Sequence, residues 1–123
     1  MSKAAFSSDS YAPDGLVVDG VPLKTLPITL NSGQNLTRGA VLGKITSGGN
    51  YTLSLSAAGD GSQTPDLILA EDADATSGDV AAIAYERGDF DQNKLTIGTG
   101  HDADSIREGL RVKGIYLHNS QTA

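Results

Sequence analysis

The side chains best suited to chemistry in this sequence lie close together near residue 101. His101, Asp102 and Asp104 follow a glycine-containing segment, and all three carry groups that can bind metal ions. A metal site also needs a fold that brings its ligands around one point, and isolated polar residues in such a loop are usually exposed to solvent. We therefore expect no metal site here, no other cofactor and no catalytic residue in the chain.

Two acidic motifs have a superficial similarity to calcium-binding loops. They are Asp72-x-Asp74-x-Thr76 and Asp89-x-Asp91-x-Asn93. Neither motif continues with the Gly and the bidentate Glu that an EF-hand loop requires. Asp and Asn side chains also accept hydrogen bonds from the backbone two residues further on, which stabilises turns. Both motifs are therefore predicted to be turns.

Other sequence signatures of catalysis are missing. The chain has no Cys, which excludes disulfides and thiolate chemistry. Gly98-Thr-Gly100 is too short for a phosphate-binding loop and no Lys follows it, and no Gly-x-Ser-x-Gly motif is present. Glu71 and Asp72 would point to opposite faces of an extended chain, so they do not form a glycosidase pair. The sequence predicts a protein that is not an enzyme.

The composition indicates one small domain. The chain has 123 residues, with 15 Gly but only four Tyr, two Phe and no Trp, so the core is expected to be small and rich in loops. A domain of this size buries a limited fraction of its surface, which makes an oligomer a reasonable expectation. No apolar run is long enough to cross a membrane, and the N-terminus lacks the apolar segment of a signal peptide.

Charge is unevenly distributed along the chain. The formal net charge is -6 at pH 7. No Lys or Arg occurs between Ile45 and Glu86, and the acids of that stretch are Asp60, Asp66, Glu71, Asp72, Asp74, Asp79 and Glu86. Because an acidic region repels phosphate backbones, direct binding to nucleic acid is not expected.

The pattern from residue 21 to about residue 100 predicts β structure. The predicted strands are Leu26–Leu30, Ala40–Thr46, Tyr51–Ser56, Leu67–Ala70, Val80–Tyr85 and Lys94–Ile97. Pro27 places the first strand at an edge or at a strand end, and Gly43 favours a bend in the second. The third strand follows a hairpin turn and alternates apolar and polar residues, whereas the fourth is continuously apolar and is expected to be central and covered on both faces.

The chain changes character near its C-terminus. A helix of two to three turns is predicted across residues 104–112, with a capping box at Ser105-x-x-Glu108, or with Asp102 or Asp104 at the N-cap. A last strand is predicted from Gly114 to Leu117. The residues expected to be largely buried are Leu53, Leu55, Leu67, Leu69, Ile83 and Ile115.

The first 20 residues contain few apolar anchors and are predicted to form a flexible N-terminal arm, with residues 21–123 as a single β-rich domain. The end of the arm differs from the rest, because Leu16, Val17, Val18 and Val21 favour an extended backbone. Such a segment could become a strand when a partner offers a sheet edge.

Four motifs resemble those of the head decoration proteins of tailed bacteriophages, the family of the phage lambda head decoration protein D. They are Arg38-Gly-Ala-Val-Leu-Gly-Lys-Ile45, Asp60-Gly61, Ile68-Leu-Ala-Glu-Asp72 and Tyr85-Glu-Arg-Gly-Asp-Phe90. The resemblance covers roughly residues 33–117. It implies a mainly β fold, a small β-clip or β-tulip-like domain with one short C-terminal helix and the flexible arm.

The resemblance also implies a function. Proteins of this family are structural virion components made in the host cytoplasm, and they bind the outer surface of the expanded head as trimers at local threefold sites. The implied partner is the major capsid protein of a tailed phage, which the decoration protein stabilises against DNA pressure, and Leu16, Val17, Val18 and Val21 are the candidate capsid-binding residues. The alternatives are a small β-rich module that binds peptide or glycan and a small hydrolase or lyase that acts through His101.

Overall fold

A computed structural model describes residues 15–18 and 22–119 of the chain. The described part is mainly β structure with one α-helix, as the sequence predicted. Its strands are β1 Val17–Val18, β2 Lys24–Leu30, β3 Asn35–Leu36, β4 Val41–Lys44, β5 Tyr51–Leu53, β6 Pro65–Leu69, β7 Ala73–Asp74, β8 Val80–Asp91 and β9 Ile115–His118. The helix α1 spans Ala103–Lys113.

Five of the strands form a closed circuit of pairings. β8 pairs with β2, β2 touches β5, β5 pairs with β4, β4 pairs with β6, and β6 pairs again with β8. The contact between β2 and β5 consists of one pair, Leu30 opposite Tyr51. β4 and β6 therefore pair at several positions, whereas β2 and β5 close the circuit at a single pair of residues.

The apolar side chains divide into two clusters on opposite faces of these strands. The first cluster fills the inside of the circuit with Ile28, Leu30, Ala40, Leu42, Tyr51, Leu67, Leu69, Ala75, Ala82 and Ala84. The second cluster lies outside it, where Leu16, Val41, Ile68, Tyr85, Phe90, Ile106, Leu110, Ile115 and Leu117 pack together. Helix α1 contributes its buried residues, Ile106 and Leu110, to this second cluster.

Strand β6 shows why a continuously apolar strand was predicted to be covered on both faces. Leu67 and Leu69 enter the first cluster, whereas Ile68 enters the second. Side chains alternate between the faces of a strand, so a strand with a core on each face needs apolar residues at every position. The prediction of a central strand here is confirmed, because β6 pairs with both β4 and β8.

Other predicted elements are also confirmed, with adjusted ends. Pro27 lies in a part of β2 that pairs only with β8 among the described strands. Gly43 lies at a register shift between β4 and β6, and a Cβ there would come within 1.9 Å of the Ser62 carbonyl oxygen. The helix has Asp102 at its N-cap, which was one of the predicted alternatives, whereas the predicted capping box at Ser105-x-x-Glu108 is wrong because Ser105 is the third residue of the box that Asp102 begins.

The predicted strand at Lys94–Ile97 is wrong. Residues Gln92–Lys94 form a short 3-10 helix, and only Thr96 makes an isolated bridge, to Ala40. The cause is the Asp91 side chain, which accepts a hydrogen bond from the Asn93 N–H at 2.9 Å and starts the helical turn. Apolar residues with strand propensity follow, but no neighbouring edge pairs with them along their length.

Three of the residues predicted to be buried are more exposed than expected. Leu67, Leu69 and Ile115 are buried, but Leu53 is only partly buried, Leu55 is 40% exposed and Ile83 is 36% exposed. Strand β5 ends at Leu53, so the alternation that would have buried Leu55 does not continue. Ile83 faces outwards because its neighbours Ala82 and Ala84 occupy the inside of the circuit.

None of the helices within residues 15–18 and 22–119 is both long enough and apolar enough to cross a membrane.

Candidate capsid-docking surface

The described chain begins and ends at the same end of a small three-stranded sheet. In this sheet β8 lies between β1, which is antiparallel to it, and β9, which is parallel to it. Val17 and Leu117 both lie opposite Phe90, on either side of β8. Because the two outer strands run in opposite directions, the described residues Gly15 and Asn119 both lie near the end of β8 at Asp91.

The structure places three of the four candidate capsid-binding residues on the folded body. Leu16 is 1% exposed and lies in the second cluster, and its carbonyl oxygen accepts a hydrogen bond from the Asp91 N–H at 2.8 Å. Val17 and Val18 form β1. The first strand therefore begins earlier than residue 21, where the sequence predicted β structure to start.

The remaining parts of the predicted arm are outside the described residues. They are residues 1–14, residues 19–20 and the fourth candidate, Val21. The prediction of a flexible arm stays a prediction for these residues. What the structure adds is its attachment point, because β1 fixes the chain to the body directly after Gly15.

Both outer strands of this sheet have one edge that pairs with no other described strand. β1 pairs only with β8, and so does β9. An open edge carries unpaired N–H and C=O groups and can accept a strand from another protein. The end of the molecule near Gly15 and Asn119 therefore also carries two short edges suited to strand addition.

The outer face of the same sheet is polar. Asp89 is 6% exposed although it faces away from Phe90, and the His118 Nε2 lies 3.5 Å from its carboxylate. Tyr116 lies opposite Asp89 on β9 and is partly buried. This face thus combines a shielded carboxylate, an imidazole and a phenol, and it is suited to polar contacts rather than to apolar burial.

The opposite end of β8 is acidic. β8 is about 36 Å long at the usual rise of a strand, and Asp79 directly precedes its first residue. The Asp79 carboxylate accepts hydrogen bonds from the Ser32 N–H and from the Asn50 side chain. Asp74 accepts from the Thr76 hydroxyl and N–H, and these hydrogen bonds hold its pKa below the usual range. These acids are therefore fixed by turns at the end far from Asp91.

The turn predictions are confirmed for the ends of the two acidic motifs, whereas Ala73–Asp74 lies in β7 and Asp89 to Asp91 lies in β8. Asp74 bonds to the backbone of Thr76, and Asp91 bonds to the backbone of Asn93, each two residues further on. Both carboxylates thus use their oxygen atoms for local backbone N–H groups, as Asx turns do.

The residues near His101 are engaged in structural contacts. The Asp102 carboxylate accepts from the Ser105 N–H at 2.8 Å at the start of α1, and Asp104 forms an ion pair with Arg107 at 2.6 Å. Within the described residues no group of three or more His, Cys, Asp and Glu side chains is arranged to hold a metal ion. The three side chains do not converge on a common point.

His101 contacts a buried serine, but the pair is not arranged for nucleophilic catalysis. The His101 Nε2 lies 3.0 Å from the Gln63 carbonyl oxygen and 3.3 Å from the Ser54 Oγ. A carbonyl oxygen only accepts, so this nitrogen carries the proton and has no lone pair for the serine. The Ser54 hydroxyl instead donates to the Ser62 carbonyl oxygen at 2.7 Å. The contacts tie the 54–63 loop to the segment before α1.

The motifs of the family resemblance meet in space. The Gly39 N–H donates to the Leu69 carbonyl oxygen, and the Leu69 N–H donates to the Ala40 carbonyl oxygen. The Arg38 N–H donates to the Asp72 carboxylate, and the Arg38 Nη1 donates to the Tyr85 hydroxyl. Three of the four motifs therefore form one junction between β4, β6 and β8. This junction joins segments distant in the chain and was not predicted, although all of its residues lie in the motifs of the family resemblance.

The described residues form a small β domain with open strand edges, and the first and last of them lie at the same end of β8. The comparison with family models is specific: the model of the bacteriophage lambda head decoration protein D matches residues 6–114. The chain belongs to this family of phage head decoration proteins. A comparison with curated protein sequences gave no match.

Proposed function

We propose that this protein binds the outer surface of an expanded phage head as a trimer at local threefold sites and stabilises the head against DNA pressure. The observation that carries the proposal is the family match over residues 6–114. The partner in this proposal is the major capsid protein of a tailed phage. A decoration protein is a component of the virion, and nothing in its action requires a membrane or direct contact with DNA.

In this proposal the pole near Asp91 faces the shell. It carries the first and last described residues, Gly15 and Asn119, and the open edges of β1 and β9. The acidic pole near Asp79 then faces away from the head. A capsid strand that pairs with the open edge of β1 would gain main-chain hydrogen bonds from Val17 and Val18, and Val21 would extend this edge. Leu16 keeps the strand in place through its burial in the second cluster.

The stabilisation follows from mass action. A protein that binds the expanded lattice and not the unexpanded one lowers the free energy of the expanded state, by an amount set by its affinity and its free concentration. Ordering the residues before Gly15 on binding would reduce the net affinity. The main-chain hydrogen bonds to the capsid would offset that cost. So would trimer formation, because once one copy is bound, its two partners are held at a high effective concentration near the capsid.

Co-sedimentation with purified heads tests this function. The full chain is mixed with expanded heads and, separately, with unexpanded heads of the same phage, and both are pelleted. The proposal requires saturable binding to expanded heads and much weaker binding to unexpanded ones. Equal binding to both forms, or binding to neither, would refute the stabilising role. The alternative of a peptide- or glycan-binding module has no specific observation in its favour.

A further inference from the structure

One side of β2 lacks a strand partner over most of its length. β2 pairs with β8 from Lys24 to Leu30, whereas on its other side only Leu30 pairs, with Tyr51 of β5. The side chains of Thr25, Pro27 and Thr29 are exposed and alternate with the inward-facing Ile28 and Leu30. Because Pro27 has no N–H, this edge cannot add another strand in continuous register. Contacts at this edge must therefore be made by side chains.

Two hollows flank the exposed part of β2. The first, of about 410 Å³, lies between β2 and the β4–β5 hairpin and is lined by Leu26, Pro27, Ile28, Thr29, Lys44, Gly49 and Tyr51. We call it the Lys44 groove. The second, of about 160 Å³, lies over the outer face of β2 and β8 and is lined by Pro27, Glu71, Ala81, Ala82 and Ile83. We call it the Glu71 hollow, and it includes one of the largest exposed apolar side chains, Ile83.

The two hollows carry opposite charges at their rims. Lys44 and Glu71 are both exposed, and neither makes an ion pair or a side-chain hydrogen bond within the described residues. Tyr51 lines the Lys44 groove. The acid next to it, Asp66, already forms an ion pair with Lys113 at 2.7 Å. An ammonium group and a carboxylate thus lie on the two sides of one β strand, and both are available to a partner.

We propose that β2 is the contact between copies of this chain, with the Glu71 hollow of one copy against the Lys44 groove of the next. Each copy then uses two different surfaces, one on each side of β2. A closed ring of three copies requires two different contact surfaces on each copy. The largely uncharged lining of both hollows suits the centre of an interface, and the Lys44–Glu71 pair fixes which surfaces meet. The inference rests on the trimer of the proposed function and assigns its interface.

Cross-linking between introduced cysteines tests this contact. The chain has no native Cys, so K44C/E71C carries the only two thiols. A short bis-maleimide is used, because the Cβ atoms of a Lys–Glu pair lie farther apart than a disulfide allows. The reaction is run on concentrated free protein and on protein bound to expanded heads. Covalent trimers are expected, whereas V112C/E71C, with its first thiol on the exposed side of α1, should remain largely monomeric.

Charge exchange and apolar disruption give a second readout. K44E and E71K should each weaken self-association about tenfold, and the double exchange K44E/E71K should restore it. I83E should abolish association, whereas V112E, a matched change at another exposed apolar residue, should not alter it. Native mass spectrometry measures the trimer fraction. The proposal is overturned if I83E and V112E behave alike, or if the double exchange is as weak as the single variants.

The outcomes separate this inference from the proposed function. If the chain binds expanded heads but K44C/E71C gives no more covalent trimer than the control, the interface assignment is wrong and the decoration function stands. If covalent trimers form in free protein that does not bind heads, the interface assignment stands and the decoration function is wrong.

Discussion

Arg38 donates a hydrogen bond from its Nη1 to the Tyr85 hydroxyl at 2.7 Å, and its guanidinium group lies 5.5 Å from the centre of the same ring. The same nitrogen also donates to the Ala70 carbonyl oxygen at 3.0 Å. One side chain thus connects the segment before β4 with the end of β6 and with the middle of β8. Tyr85 in turn contacts Phe90 in the second cluster, so the junction links the circuit to the sheet of β1, β8 and β9.

Loss of the Tyr85 hydroxyl should weaken this junction. Tyr85→Phe keeps the ring and its stacking but removes the acceptor of a charge-assisted hydrogen bond, so the free energy of unfolding should fall by about 1.5–3 kcal/mol. Urea denaturation measures the change. Tyr116→Phe, at a partly exposed tyrosine, is the control and should have little effect. Equal stability of both variants would show that the Arg38–Tyr85 contact does not stabilise the fold.

Truncation in the first cluster should be costly. Leu69 is fully buried inside the circuit, and Leu69→Ala should lower the free energy of unfolding by about 2–5 kcal/mol, because it removes apolar contacts and leaves a cavity. Leu55→Ala makes the same chemical change at a residue that is 40% exposed and should cost clearly less. Thermal melts compare the two, and an unchanged melting temperature for Leu69→Ala would contradict the placement of β6.

The stability of the protein should fall at high pH because of Tyr51. Burial, followed by the nearby carboxylates of Asp66 and Glu86, raises the pKa of the Tyr51 hydroxyl to about 12. In the unfolded chain this hydroxyl has its ordinary pKa of 10.0, so unfolding releases a proton between pH 10 and pH 12. This contribution to stability is complete below pH 10 and is lost as the pH rises towards 12.

The comparison of wild type with Tyr51→Phe isolates that effect. The variant cannot ionise at this position, so its stability should decline less between pH 10 and pH 12 than that of the wild type. Denaturation at a series of pH values gives both curves. Parallel curves over this range would mean that the Tyr51 hydroxyl titrates alike in the folded and unfolded states.

Deletion of residues 2–14 should separate folding from docking. The deletion leaves Leu16 and β1 in place, so the melting temperature should change little. Co-sedimentation with expanded heads should be reduced only in part, because any contacts of residues 2–14 with the shell are lost while the open edge of β1 remains. Leu16→Ala, with the full N-terminus, is the contrasting variant: it should lower the melting temperature through loss of a buried side chain. A truncated chain that pellets as well as the full chain would assign docking to the folded body alone.

Much of the fold could be predicted from local patterns, and the failures have specific physical causes. The apolar run at Leu67–Leu69 and the capping residues of α1 act locally, so the sequence reveals them directly. Ile83 was misplaced because its strand buries the smaller Ala82 and Ala84, and apolarity alone does not predict that choice. The size of the space inside the circuit decides which side chains are buried there, and this size depends on all five strands.

The proposed docking surface was predictable only in part. The extended character of Val17 and Val18 is visible in the sequence, but their pairing with Asp89 and Phe90 is a contact between distant segments. The same holds for the proximity of Gly15 and Asn119 to one end of β8, which follows from the opposite directions of β1 and β9. Lys44 and Glu71 carry no local signal at all, since only the fold brings them to the two sides of β2.

Cryo-electron microscopy of expanded heads saturated with the purified chain tests the central claim most directly. The account predicts three copies around each local threefold axis on the outer surface, with the Asp91 end of β8 towards the shell and the Asp79 end away from it. Density should continue from Gly15 into contact with a capsid protein. Copies at other positions, copies attached through the acidic end, or bare threefold sites at saturating concentration would contradict it.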